Sequence, residues 1–191
     1  MNLTPDTFKV SMRDGVFLGT DVYLPPGSRD VPLPTILVRT PYCKDAVTFN
    51  IEPIVGEGYA LVIQDCRGRF SSEGDYEPAI VDAQTGTVGG TNDGVDTVDW
   101  VIAQSWCNGK VGMFGASGFG APIWHAVMSG GAITTGIPLI TGSVFGGFGF
   151  YTAGVPQLDV MLLWNAGMGK PPGADNELAR FLASAEGQQE I

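Results

Sequence analysis

Forty-four per cent of this 191-residue chain is hydrophobic, enough to bury the core of one domain or of one domain and the start of a second, which argues against wholesale disorder. A formal net charge of -10 argues against nucleic acid as a partner, because nothing here could neutralise phosphates, and three cysteines without a CxxC pair argue against a disulfide framework or a zinc site. No basic segment followed by an apolar one opens the chain, and glycines and charges interrupt every apolar run, so neither a secretory signal nor a membrane span is expected and a cytoplasmic location is.

In chain order, "TFKVSM", the turn "RDG" and "VFLGTDVYLP" predict a β-hairpin turning at Asp14-Gly15. A proline-rich connection leads to "PTILVRT" (34–40), a run of apolar and β-branched residues suited to a strand buried on both faces. A helix is expected over 46–57, closed by Gly56 and Gly58, then a second buried strand at 59–65. A polar loop and the low-complexity stretch 84–93 follow. Residues 93–105 place Val95, Val98, Val101 and Ile102 on one side of a helix. "KVGMFG" is the next strand, a helix is expected from about Phe119 to Ser129, and "GIPLIT" (136–141) is a further strand. Beyond it, 156–168 and 176–189 both look helical with no strand after them. Strands alternating with helices imply a largely parallel sheet entered through an antiparallel hairpin.

The segment "KVGMFGASGFGAP" (110–122) supports two chemistries. A glycine-rich turn between strand and helix can cradle a pyrophosphate, as in NAD(P)-binding domains, but no acidic residue ends the next strand and only about 70 residues follow, too few for the rest of such a domain. The same turn can hold a serine nucleophile on a strained elbow, for which Gly115, Ala116, Gly118 and Gly120 supply small neighbours to Ser117. Locally, the two readings are nearly even.

The neighbouring segments separate them. "MRDGVFLGTDVYLP", "PTILVRTPYCK", "GYALVIQDCRGRFSSEGDYEP" and "NDGVDTVDWVIAQSWCNGKVGMFGASGFG", in this order, resemble the CocE/NonD group of α/β-hydrolases, which includes cocaine esterase, α-amino-acid ester hydrolases and the Xaa-Pro dipeptidyl-peptidase (S15) domain. The resemblance covers about residues 5–145, with 146–191 more loosely similar to the beginning of a helical cap. It implies an α/β-hydrolase fold: residues 1–142 as the first half of the mostly parallel sheet, 143–191 as the start of the cap, and the C-terminal strands absent. It implies hydrolysis of an ester, amide or peptide bond without cofactor or metal, with Ser117 as nucleophile, the Gly118 backbone N–H as one oxyanion donor and the Tyr42 hydroxyl as the other. Gly118 stands where the family's turn carries a tyrosine, and the lost ring is expected to enlarge the pocket. Asp65 and Arg67 are expected to brace their loop as an ion pair.

A serine hydrolase also needs a base. The single histidine, His125, lies eight residues into the elbow helix, roughly 12 Å along its axis, and so cannot serve Ser117. The triad acid and histidine are therefore expected outside this chain, and the apolar edge at "GIPLIT" is expected to self-associate or to receive a complementing chain. A non-catalytic α/β domain that keeps the elbow as scaffold is the alternative, with NAD(P) binding behind it.

Overall fold

The computed structural model describes residues 3–47, 51–75, 92–141, 151–152 and 155–158. Its centre is a six-stranded sheet in the order β1-β2-β4-β3-β5-β6. Strands β1 (Asp6–Ser11) and β2 (Phe17–Tyr23) form the expected antiparallel hairpin, closed by Met12 and Val16, with Gly15 at φ +86° where a side chain would be strained. Strand β2 pairs antiparallel with β4 (Ala60–Asp65), and from there the sheet is parallel: β4 with β3 (Leu33–Thr40), β3 with β5 (Cys107–Ala116), β5 with β6 (Thr135–Leu139).

All six residues of β4 are buried: the apolar run Ala60, Leu61, Val62 and Ile63 requires a strand covered on both faces, and Gln64 and Asp65 are buried with it. Period-two alternation then sorts β3 and β5 between two layers. Leu37, Val111 and Met113 pack with Val98, Val101, Ile123 and Ala126 of α2 (Asp93–Ile102) and α3 (Ala121–Met128). Val38 packs oppositely, with Leu61, Ile63 and Val55 of α1 (Ile51–Gly56).

Two helices differ from the sequence expectation. Where a helix was expected from residue 46, Lys44–Ala46 form a 3₁₀ turn and α1 begins at Ile51; residues 48–50 lie outside the described part. The Lys44 N–H donates to the Asp65 carboxylate at 2.7 Å, which draws the chain down onto β4 before the helix starts. On α2, Val98 and Val101 are buried as expected, but Asp93 and Thr97 are buried with them, whereas Val95 is only half-buried. The face is set by a polar network. Arg39, fully buried, donates to Gln64 at 2.7 Å; Thr97 donates to the same Gln64 oxygen at 2.9 Å, and Gln64 donates to Thr20 at 3.0 Å. Such groups are tolerated inside because they are hydrogen-bonded.

Beyond the sheet, β7 (Tyr151–Thr152) and β8 (Val155–Pro156) form a short antiparallel ladder that the sequence did not suggest. The boundary expected near 142 and the helix expected over 176–189 lie outside the described residues, as does nearly all of the one expected over 156–168. Among the described residues, no helix is long and apolar enough to cross a membrane.

Candidate active site

Strand β5 ends at Ala116 in extended geometry (φ -108°, ψ 152°), and the next residue, Ser117, stands at φ +53°. That conformation crowds any side chain and costs an L-residue about 1–2 kcal/mol. A 3₁₀ turn over Ser117–Phe119 follows, closed by the Gly120 N–H donating to the Ser117 carbonyl at 2.9 Å, and α3 starts at Ala121 with Pro122 in its first turn. The turn is tight enough that a Cβ on Gly115 would lie 2.6 Å from the carbonyl carbon of Phe119, and one on Gly120 would lie 3.0 Å from the Gly115 oxygen. Ser117 itself is exposed at the tip. This is the strand-turn-helix elbow expected from the sequence.

The fold brings Tyr42 to it. Strands β3 and β5 are parallel neighbours with Leu37 opposite Met113, and the same register carried three residues further sets Thr40 level with Ala116. The loop after β3 and the elbow after β5 therefore leave the sheet side by side, at the carboxyl ends of strands where the chain order switches, from β4 on one flank of β3 to β5 on the other. The Tyr42 phenol lies directly against the α-carbon of Gly118: a Cβ there would meet the Tyr42 hydroxyl and would come within 2.7 Å of two ring carbons. The Phe119 ring backs it, centroids 5.2 Å apart. Tyr42 therefore fills the space directly against the Gly118 α-carbon.

Several groups not singled out in the sequence pin the Tyr42 loop. The Tyr42 N–H donates to Thr40 Oγ1 at 2.9 Å, and Arg69 Nε donates to the Pro41 carbonyl at 3.0 Å. Lys44 Nζ donates to Asp21 at 2.8 Å and to Asp45 at 2.6 Å; burial opposes its charge, but these two carboxylates outweigh it and hold the ammonium above its ordinary pKa. Asp65 accepts from the Lys44 N–H, from Ser71 Oγ at 2.7 Å and from the Ser71 N–H at 3.1 Å. Burial nevertheless pushes its carboxyl above the usual range. Asp65 is not paired with Arg67, as had been expected: Arg67 reaches Asp93 at 2.7 Å and Asp14 at 2.9 Å, joining α2 to the hairpin turn instead.

Backbone strain concentrates on this edge of the sheet. Among the described residues, the non-glycine positions with positive φ are Cys43, Phe70, Ser117 and Ile140, each in the segment following one of the four parallel strands. Strained conformations cluster where surrounding structure over-determines them, most often at functional sites. No group of three or more His, Cys, Asp or Glu side chains among the described residues is placed to hold a metal ion.

His125 is half-buried on α3, its Nδ1 enclosed with no hydrogen-bond partner among the described residues. Burial first, and the Arg39 charge second, lower its pKa from 6.5. The folded protein then resists protonating this imidazole while the unfolded chain accepts the proton, so stability is lost as pH falls below about 6.5. Thermal unfolding between pH 7.5 and 5.5 should show wild type losing ground to His125→Gln as the pH drops. A constant difference between the two would refute this.

Sheet order, crossover helices and elbow together define an α/β-hydrolase fold. The chain belongs to the X-Pro dipeptidyl-peptidase (S15) family, whose pattern it matches over residues 14–189. It is 38% identical over 168 residues to the cocaine esterase of Rhodococcus sp. (strain MB1 Bresler), an alignment covering 84% of this chain and 28% of that protein. Among solved structures, an α-amino acid ester hydrolase superposes with a TM-score of 0.71 at 28% identity, over 87% of this chain and 30% of its own. A CocE/NonD family hydrolase from Staphylococcus aureus superposes with a TM-score of 0.69 at 19% identity, covering 99% and 36%. The chain thus spans about a third or less of the length of these relatives.

Proposed function

We propose that this chain supplies the nucleophile and oxyanion hole of a serine hydrolase that cleaves ester or amide bonds, including acyl or Xaa-Pro dipeptidyl bonds, through an acyl-enzyme on Ser117. The observation that carries the reading is the exposed Ser117 at φ +53° on a strand-to-helix turn, beside the Tyr42 phenol. On this reading Ser117 Oγ attacks the acyl carbon as a base removes its proton. The oxyanion that forms accepts hydrogen bonds from the Gly118 N–H and the Tyr42 hydroxyl, and the proton passes to the leaving group as the acyl bond breaks. Water, activated by the same base, then releases the acyl group. On this reading the base is not His125, the single histidine of the chain, which lies eight residues beyond Ser117 and roughly 12 Å along the axis of α3. A fluorophosphonate probe should phosphonylate Ser117 in the assembly that delivers the base. A folded assembly that leaves Ser117 unlabelled would overturn the reading.

A second reading, a non-catalytic α/β module that keeps the elbow as scaffold, draws on the same histidine, the only one in the chain. It requires turnover of activated esters to be no higher than in a Ser117→Ala variant.

We propose further that a small ester, amide or peptide is the substrate, that the protein works in the cytoplasm, and that the free side of β6 is an association surface. Among the described residues, β6 pairs only with β5, and Ile137, Leu139 and Ile140 are exposed along it. Ile137 and Phe114 also line an apolar groove of about 320 Å³ on the α1 side of the sheet. An unpaired apolar edge is a template for further strand pairing. Light scattering on the 191-residue chain should report dimers or larger species, dissociated by Ile137→Lys. A monodisperse wild-type monomer would refute the association.

A further inference from the structure

We propose that Asp65 is a positioning residue whose carboxylate holds two strained turns beside the elbow and thereby keeps the Tyr42 hydroxyl on it. The inference rests on Ser117 as nucleophile and Tyr42 as oxyanion donor, and names what aims that donor.

One geometric coincidence carries it. Two of the positive-φ positions, Cys43 at +91° and Phe70 at +45°, flank Asp65 from separate loops. Each is followed directly by a residue whose backbone N–H donates to Asp65: Lys44 at 2.7 Å to Oδ1, and Ser71 at 3.1 Å to Oδ2. Ser71 Oγ donates to the second oxygen as well, at 2.7 Å. The direction of an N–H is set by the ψ of the residue before it, so each bond acts on the strained residue itself. Cys43 stands at φ +91° and ψ +115°, outside the small left-handed region that L-residues tolerate. Such a conformation persists only where its surroundings over-determine it. A carboxylate suits that task, because it accepts without donating and its hydrogen bonds are about twice as strong as neutral ones. Asp65 is fully buried at the end of β4, so water does not compete for these bonds.

Tyr42 lies between the ties. Downstream, Asp65 fixes the Cys43–Lys44 peptide. Upstream, the Tyr42 N–H is held by Thr40 and the Pro41 carbonyl by Arg69, which stands in the loop that Asp65 closes through Ser71. The Tyr42 hydroxyl is thereby brought against the Gly118 α-carbon. Strand pairing alone does not do this, since the bond from the Cys66 N–H to the Thr40 carbonyl does not involve the Asp65 side chain. Without the carboxylate, Cys43 relaxes toward negative φ, the Tyr42–Cys43 peptide reorients, and the phenol leaves the place of an oxyanion on Ser117.

The test is the rate of Ser117 phosphonylation by a fluorophosphonate, measured in the assembly that supplies the base. An oxyanion donor lost, or misplaced by about 1 Å, costs about 10²-fold. Tyr42→Phe and Asp65→Ala should each slow labelling by about that factor, and the double variant by no more than either, because both act on one hydrogen bond. Asp65→Asn keeps an acceptor for the Lys44 N–H and should stay within about tenfold of wild type. Adding Cys43→Gly to Asp65→Ala should recover about tenfold, since glycine takes positive φ without restraint, whereas Cys43→Gly alone should label at the wild-type rate. General structural damage predicts no such recovery. An Asp65→Ala chain labelled at the wild-type rate, multiplied effects beside Tyr42→Phe, or no recovery with Cys43→Gly would each overturn the proposal. A Tyr42→Phe chain labelled at the wild-type rate would instead sink the oxyanion reading, and the proposal with it.

The aim of the ring is also read without chemistry, by the ¹⁹F resonance of 3-fluorotyrosine placed at position 42 of the 191-residue chain. Asp65→Ala should move that line toward its position in the unfolded chain, and Asp65→Asn should not. An unmoved line in Asp65→Ala would overturn the proposal even where no labelling occurs. If Asp65→Ala does not fold, Asp65→Ser, whose short hydroxyl cannot reach both loops, should show the same slowing and shift, and wild-type behaviour there would overturn it.

Discussion

Ser117→Ala is expected to lower acyl transfer by about 10⁶-fold in the assembled enzyme, the order found where a serine nucleophile is removed from a complete triad. The fold should be untouched, because Ser117 is exposed at the tip of its turn. Ser117→Gly separates the two things this residue does. At φ +53° glycine escapes the steric cost of about 1–2 kcal/mol that an L-residue bears. Its more flexible unfolded chain gives back about 0.4–1 kcal/mol. The glycine variant should therefore be inactive yet as stable as wild type or up to about 1.6 kcal/mol more so, whereas the alanine variant keeps the strain. Urea unfolding paired with fluorophosphonate labelling checks both halves. A glycine variant clearly less stable than the alanine one would show that the serine conformation is not held against strain.

The strand-turn-helix geometry was legible in the sequence because what makes it is local, an apolar strand, small residues at 115, 116, 118 and 120 and a helix beginning at once, whereas its reading as a nucleophile elbow rested on the neighbouring segments. Buried strands were legible from local pattern too, since "ILV" (36–38) and "ALVI" (60–63) are unbroken apolar runs, although the buried Arg39 and Gln64 that follow them were not. What lies against Gly118 was not, because the ring comes from Tyr42 in the loop after β3 and only the β3–β5 register brings the two together. Lys44 illustrates the same limit: a lysine in a loop reads as solvated, yet this one is 6% exposed because Asp21 and Asp45 converge on its ammonium. On α2, helical periodicity found Val98 and Val101 but could not find Asp93 and Thr97, whose burial depends on Arg67 and Gln64 arriving from β4 and the loop after it. Local pattern specifies elements; the polar groups that lock elements together are specified only once the strands are ordered.

Asp93→Ala should destabilise the fold by about 3–5 kcal/mol, the usual cost of breaking a buried ion pair from one side. The Asp93 carboxylate is fully buried. It accepts from Arg67 Nε at 3.0 Å and Nη2 at 2.7 Å, and lies 3.9 Å from Arg39 Nη2. It also opens α2, where a negative charge meets the positive end of the helix dipole. Deleting it removes the carboxylate set between two guanidinium groups in a poorly solvated space, with Arg67 still held by Asp14 and Arg39 by Gln64. At about 2–4 °C per kcal/mol for a chain of this size, the thermal midpoint should fall by roughly 6–20 °C. Asp96→Ala, one turn along the same helix, provides the contrast. Its partner Arg13 is 47% exposed, so water replaces the lost contact and the cost should stay within about 1 kcal/mol. Equal losses at 93 and 96 would mean that the Arg39–Asp93–Arg67 cluster is no more than a surface pair in energetic terms. Arg39 lies on β3 only three residues before Tyr42, so the network beneath the sheet also supports the strand that presents the oxyanion donor. Asp93→Ala should accordingly slow Ser117 labelling in whatever fraction of the protein remains folded, whereas Asp96→Ala should leave it at the wild-type rate.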